Sequence, residues 1–246
     1  MKHFFLLASL LPILDCDHFA KNSSFTAKHQ TTIPMVAETI FPFKLPKKNS
    51  AMLDVIVINQ NPELKYGCEV TSLAMVLNYA GVKTDKMELY RMIQKETDPL
   101  IRTSKGNIIS WGNPEYGFVG DMTGRFAGTT VFEKPLISLV NQKLTGRAVN
   151  LTNQPFERIL EHVSEGYPVV VWTTLDFDLP KRWETWNHGE QVVRVPFDLH
   201  AVVLVGYDEH FVYINDPRTG EKKVRVEKEK FISSWISLNS RAVSYH

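Results

Sequence analysis

The last third of the chain leaves little freedom of architecture. From residue 199 onward, "LHAVVLVGYDEHFVYINDPRTGEKKVRVE" offers three β-branched, apolar runs separated by turn-forming groups. Runs of this kind, joined by short turns, pair as an antiparallel sheet. The helical patterns come earlier, within residues 68–81, 84–96, 133–146 and 155–166. Helices first and an antiparallel sheet afterwards define the α+β class, not an alternating α/β wrap.

Within the first part, "MLDVIVI" over residues 52–58 reads as a strand. The segment "NQNPELKYGCEVTSLAMVLNYAG" opens as a loop and continues as a helix, with Val70, Leu73, Ala74, Leu77 and Ala80 at near-helical spacing and Gly81 as the stop. Cys68 therefore falls in the first turn of an amphipathic helix. A second helix follows in "TDKMELYRMIQKE", with Thr84 or Asp85 as N-cap and Glu88 as a capping-box partner. Residues 103–130 are rich in glycine and aromatics. No Gly-Lys-Ser/Thr ends the run and no strand–helix frame surrounds it, so it reads as a long ordered surface loop and not as a nucleotide site. "EKPLISLVNQKLTG" and "PFERILEHVSEG" are two more helices, and "VVVWTTLDF" after Pro168 is a strand. A polar, tryptophan-bearing insert, "KRWETWNHGEQ", separates it from the terminal strands. A helix around "KEKFISSWI" and a last strand, "RAVSYH", complete the pattern.

A chain of 246 residues with 43% hydrophobic and 22% charged content can bury a sizeable core. Its formal net charge of +1 and the lack of a basic stripe argue against a nucleic-acid partner. Residues 1–20 form a signal-like leader whose apolar run over residues 4–14 is too short to span a bilayer. Residues 21–50 read as a polar linker or pro-like arm and residues 51–246 as the folded domain. The expected address is secreted or cell envelope, with membrane contact only through the leader where it is retained. Asp15, standing where a small residue would be needed, argues against lipidation of Cys16.

The chain has two cysteines, and Cys68 is alone outside the leader. With the leader removed it has no disulfide partner, so it is either a small buried hydrophobe or a thiol kept for its chemistry. A helix N-terminus favours the thiolate and lowers the thiol pKa below the free value of about 8.5. A partner imidazole is offered by His200, at the start of "HAVVLVGYD". If Asp208, Glu209 and His210 form a three-residue turn, Tyr207 pairs with Phe211 and residue 202 lies opposite Asp216. His200 and Asp216 are then diagonal neighbours on one face, about 7–8 Å apart at Cα. That yields a nucleophile, a base and its orienter in the order Cys, His, Asp. Oxyanion donors are available in the Cys68 backbone N–H and the side-chain amide of Gln60. His188 and His210 read as solvent-facing loop residues that make no zinc spacing with Cys68, so neither metal nor cofactor is expected. Trp111, Tyr116, Trp183 and Trp186 serve equally as groove lining or as packing.

Taken together, "INQNPELKYGCEVTSLAMVLNYAG", "GFVGD", "EGYPVVVW", "DLHAVVLVGYD" and "VYINDPRTG" resemble the papain-fold cysteine peptidases related to bacteriocin-processing peptidases, in their stand-alone exported, C39-like branch. The resemblance implies a papain-like fold whose N-terminal helical part carries the Cys and whose C-terminal antiparallel sheet carries the His and Asp. It implies Cys68 as nucleophile, His200 as base, Asp216 as orienter and Gln60 as oxyanion-hole side chain. Transporter-linked members have aspartate before and glycine after the cysteine, whereas Gly67 and Glu69 stand here, so their leader-cutting specificity does not carry over. The expected activity is an exported thiol hydrolase that cleaves peptide bonds through an acyl-enzyme, its partner a peptide or protein substrate. The alternatives are a cell-wall peptide amidase, a transglutaminase-like acyl transferase, or a catalytically silent peptide-binding module.

Overall fold

The structure, a computed structural model, describes residues 48–246. The leader and nearly all of the polar arm lie outside these residues. Among them, no helix is long and apolar enough to cross a membrane.

The centre of the fold is a seven-stranded sheet built from β1 (Ala51–Met52), β6 (Ala148–Asn150), β7 (Val169–Thr174), β10 (Leu199–Tyr207), β11 (Phe211–Asp216), β12 (Glu221–Glu227) and β13 (Ala242–Tyr245). Its order is β12-β11-β10-β7-β13-β6, every pair antiparallel, with β1 on the β10 edge beyond the end of β7. The α+β class is the one observed.

Successive side chains of a strand face opposite ways, and β7 and β10 use both faces. Val170, Trp172, Ala201, Val203 and Val205 join one apolar cluster, while Val169, Val171, Val202 and Leu204 join another. Helices α1 (Cys68–Tyr79), α2 (Lys86–Met92) and α3 (Glu133–Lys143) contribute to the first cluster. Helices α4 (Phe156–Ser164) and α5 (Lys228–Ser237) contribute to the second. This is why the central strands read as unbroken apolar runs instead of alternating ones.

Helix α1 is more deeply placed than an amphipathic reading implies. Every residue from Cys68 to Leu77 is buried, Glu69, Thr71 and Ser72 included. It ends as expected: Gly81, at φ +85°, donates its N–H to Asn78 O at 2.9 Å, and Val82 closes on Leu77 O at 2.9 Å. In α2 the Asp85 carboxylate caps the Glu88 N–H at 2.7 Å. The reciprocal half of the capping box is replaced, because the Glu88 carboxylate accepts from Thr84 Oγ1 and Lys143 Nζ instead.

Four expectations are corrected. The strand over residues 52–58 shrinks to Ala51–Met52. After Leu53 donates to Val205 O at 2.8 Å, the next position on β10, Leu204, already pairs with Val169 of β7, so no edge is left. The chain runs on with Val55 and Ile56 carbonyls accepting from the Asn215 amide. Residues 103–130 are not a surface loop throughout: they hold β4 (Ile108–Ser110) and β5 (Phe118–Val119), and Trp111, Phe118, Val119 and Met122 are buried in the α1-side core. The polar insert is a regular hairpin of β8 (Trp183–His188) and β9 (Gln191–Pro196), turning through Gly189 at φ +56°. With β3 (Ile101–Arg102) and β4 it makes a four-stranded sheet, while β2 (Lys95–Glu96) pairs with β5.

The fourth correction concerns the β10–β11 register. The turn is one residue longer than expected, so Tyr207 pairs with Val212 and Gly206 with Tyr213. An irregularity between Leu204 and Gly206 then shifts the ladder by one, giving Leu204↔Ile214 and Val203↔Asn215. Continued one step, that register sets residue 202 against Asp216. The expected arrangement at the far end survives because a bulge undoes the error made at the turn.

Candidate active site

The site begins where α1 begins. Gly67 caps the helix without a side chain, and its N–H closes on Leu64 O at 3.0 Å. A Cβ at this position would lie 2.5 Å from the Leu64 Cβ, so the loop leading into Cys68 is packed too closely for any other residue. The first amides of a helix have no intrahelical acceptor, and the Cys68 N–H is one of these.

Cys68 is a free thiol and 7% exposed. Its sulfur approaches Glu69 Oε2 at 3.3 Å and faces the backbone N–H of Ala201, whose carbonyl in turn accepts from Ser72 Oγ at 3.2 Å. Helix α1 thus grips β10 at the residue directly after His200. Burial, then the neighbouring Glu69 charge, pushes the thiol well above its ordinary range, and the Ala201 N–H opposes this without prevailing. The helix N-terminus, expected to lower this pKa, is outweighed by burial and the Glu69 charge.

His200 is 2% exposed, and its Nε2 lies 2.7 Å from Asp216 Oδ1. The same oxygen accepts the Arg218 N–H at 2.7 Å. Burial works against the Asp216 charge, but the hydrogen bond and charge of His200, together with the Arg218 amide, hold its carboxyl below the usual value. Since Nε2 is committed to Asp216, Nδ1 is the ring nitrogen left for a thiol. Among the described residues no hydrogen bond joins Cys68 to His200. They converge on Ala201, but the thiol bonds to Glu69.

Gln60 is 3% exposed. Its backbone N–H donates to Pro217 O at 2.7 Å, which ties its loop to the strand end just past Asp216. Lys86 Nζ reinforces that loop by donating to the Asn59 and Gln60 carbonyls at 2.7 and 3.0 Å. The side-chain Nε2 gives one hydrogen to Lys65 O at 2.8 Å, leaving the second for another acceptor. Its Oε1 is buried with no partner among the described residues.

Glu69 is the residue that sequence reasoning passed over. Fully buried beside the thiol, it accepts from Thr130 Oγ1 and from the Val131 N–H at 3.2 Å. Burial raises its pKa, against the pull of the donors from Thr130, Val131 and Cys68. An acidic residue in an otherwise apolar helix was a visible signal, but its partners lie 61 and 62 positions away.

A cavity of about 340 Å³ opens beside Tyr66 and Leu199, the residues two before Cys68 and one before His200. Trp111 and Trp186 line it, whereas Trp183 lines a different cavity and Tyr116 a third. His210 is exposed, in the turn after β10. His188 is not a solvent-facing loop residue: it ends β8 and is half-buried near Glu96 and Asp98.

With this geometry established, comparison with known proteins is informative. Residues 52–243 match the profile of the Peptidase_C39 like family. The chain is 35% identical over 199 residues to YvpB of Bacillus subtilis, an uncharacterized protein, covering 80% of this chain and 76% of that one. The crystal structure of a Bacillus anthracis protein described as a C39-like peptidase superimposes with a TM-score of 0.73 at 38% identity, over 81% of this chain and 98% of the other. Interpain A, a cysteine protease of Prevotella intermedia, aligns over 80% of this chain and 94% of its own at 11% identity, with a TM-score of 0.40 that supports no further argument.

Proposed function

The chain belongs to the C39-like peptidase family, and from that membership and the geometry of the site we propose that it is an exported cysteine peptidase acting on a peptide or protein substrate through Cys68, His200 and Asp216. The observation that carries the reading is the buried His200–Asp216 pair at 2.7 Å, with His200 directly before Ala201, whose backbone N–H the Cys68 thiol faces. The apolar run over residues 4–14 supports an extracytoplasmic address.

In this reading the resting site stores a neutral thiol on Glu69. Rotation of the sulfur from Glu69 toward His200 Nδ1 lets the imidazole take the proton, and Asp216 stabilises the imidazolium so formed. The thiolate attacks the scissile carbonyl. The oxyanion is met by the Cys68 N–H and the free Nε2 hydrogen of Gln60, donors fixed before the reaction begins. His200 then protonates the departing amine, and water, deprotonated by the same ring, releases the acid. The cavity lined by Trp111 and Trp186 takes an apolar portion of the substrate.

A second reading, a silent peptide-binding module, is favoured by one observation: the thiol bonds to Glu69 and not to His200. A peptide-library cleavage assay separates the two. The enzyme cleaves at least one sequence class, with a loss of at least about 10³-fold in Cys68→Ala. A module that binds library peptides equally before and after this substitution, without cleavage in either, defeats the proposal.

A further inference from the structure

Beyond the thiol site, three metal-ligating side chains converge at the far end of β8. His188 Nε2 lies 3.3 Å from Glu96 Oε2 and 3.3 Å from Asp98 Oδ2, and the three donor atoms fall within 4.8 Å of one another. Both distances are within ion-pair range, but a single ring N–H could be donated to only one of the two oxygens. The spacing also fits a bound metal ion. Donors bound at 2.0–2.1 Å around a tetrahedral Zn2+ stand about 3.3–3.4 Å apart along each edge.

The cluster is also held from behind, as metal ligands are. Glu96 Oε2 accepts the Asn113 N–H at 3.2 Å. Gly112 makes room for Glu96, since a Cβ there would come 2.6 Å from the Glu96 Cβ. The Tyr116 ring packs on the His188 imidazole with centroids 5.6 Å apart. Glu96 and His188 are mostly covered while Asp98 is half exposed, which leaves an entry path.

We propose that Glu96, Asp98 and His188 form a zinc-class divalent-metal site whose fourth position is open to water. One imidazole and two carboxylates suit Zn2+ over Ca2+, which prefers six to eight oxygens. The metal clamps the β2 end to the β8–β9 hairpin. Trp186, two residues before His188 and therefore on the same face of β8, packs on Trp111 at 5.7 Å and donates to Gly112 O at 2.8 Å, and both tryptophans line the cavity that Tyr66 and Leu199 also line. Occupancy stiffens that wall. Sequence spacing could not show the site, because its ligands come from two segments some 90 residues apart.

The test uses full-length, EDTA-stripped Cys68→Ala protein, so that the thiol cannot bind metal. Titration with Zn2+ against a competing chelator is expected to give one equivalent per chain and a rise in Tm that Ca2+ and Mg2+ do not reproduce. His188→Ala and the exposed-ligand variant Asp98→Asn should each weaken Zn2+ by more than about 10-fold, the lower end of the usual cost of losing an outer-shell partner. Asp98→Asn keeps the measurement decisive if His188→Ala does not fold. Absence of stoichiometric Zn2+, or Zn2+ affinity unchanged in these variants, overturns the site.

Discussion

Two buried carboxyl groups stand beside the Cys68 thiol and the His200 ring, and their environments push them in opposite directions. Asp216 meets an imidazole and a backbone N–H, and its pKa falls. Glu69 meets a hydroxyl, a backbone N–H and a thiol, with no cation, and its pKa rises. Burial penalises the charge in both cases; the difference is the presence of a partner that can itself carry positive charge. Asp216 is thereby suited to hold an imidazolium, and Glu69 to hold the thiol and its proton at rest.

The comparison breaks most visibly if Asp216, the proposed orienter, is removed. Asp216→Ala is expected to lower kcat/KM by about 10²–10⁴-fold, since the imidazole loses both its orientation and its counter-charge. Steady-state cleavage of a library-derived peptide measures this. A loss below 10-fold would mean that Asp216 merely starts the turn at Pro217.

Glu69 provides the sharper probe. Glu69→Gln keeps an oxygen for Thr130 and Val131 but removes the charge that raises the thiol, so iodoacetamide should modify Cys68 at lower pH than in the wild type. Stability should separate the two carboxyls as well. With its folded pKa above the ordinary 4.5, Glu69 contributes stability that is complete below 4.5 and is lost as pH rises through the folded value. Asp216, depressed below 3.8, contributes stability present above 3.8 and lost as pH falls through its folded value. Urea midpoints followed from about pH 3 to pH 8 should therefore flatten on the alkaline side in Glu69→Gln, with the acid side unchanged. The reverse pattern would put the raised pKa elsewhere.

The smallest effect is expected at Thr130. Thr130→Val removes one donor from Glu69 and should cost about 1 kcal/mol in urea unfolding, while speeding Cys68 alkylation slightly, because Glu69 without this donor is more readily neutral and raises the thiol less. A stability loss with slower alkylation would show that Thr130 acts on the thiol by another route.

Much of this arrangement was legible in advance. The helix from Cys68 to Tyr79 could be read because its apolar residues recur at helical spacing and Gly81 stops it. The long β-branched runs marked β7, β10 and β11, and the choice of His200 and Asp216 as partners followed from the period of two along a strand. His200 and Asp216 meet although the turn is one residue longer than expected, since the irregularity at Leu204–Gly206 restores the register. The β8–β9 hairpin was missed because its polar and aromatic composition resembles a loop, and its burial depends on Trp111 and Gly112 far upstream.

Local pattern by itself determined where the five helices and the apolar runs of the central strands lie, because those properties depend on neighbours within a few residues. The tertiary structure alone decided the state of the thiol, the partners of Glu69 and the meeting of Glu96, Asp98 and His188. Charge and desolvation are set by whatever surrounds a group in space. At Cys68 that surrounding comes from Ala201 as well as the adjacent Glu69, and at Glu69 from Thr130 and Val131, contacts that no spacing along the chain records.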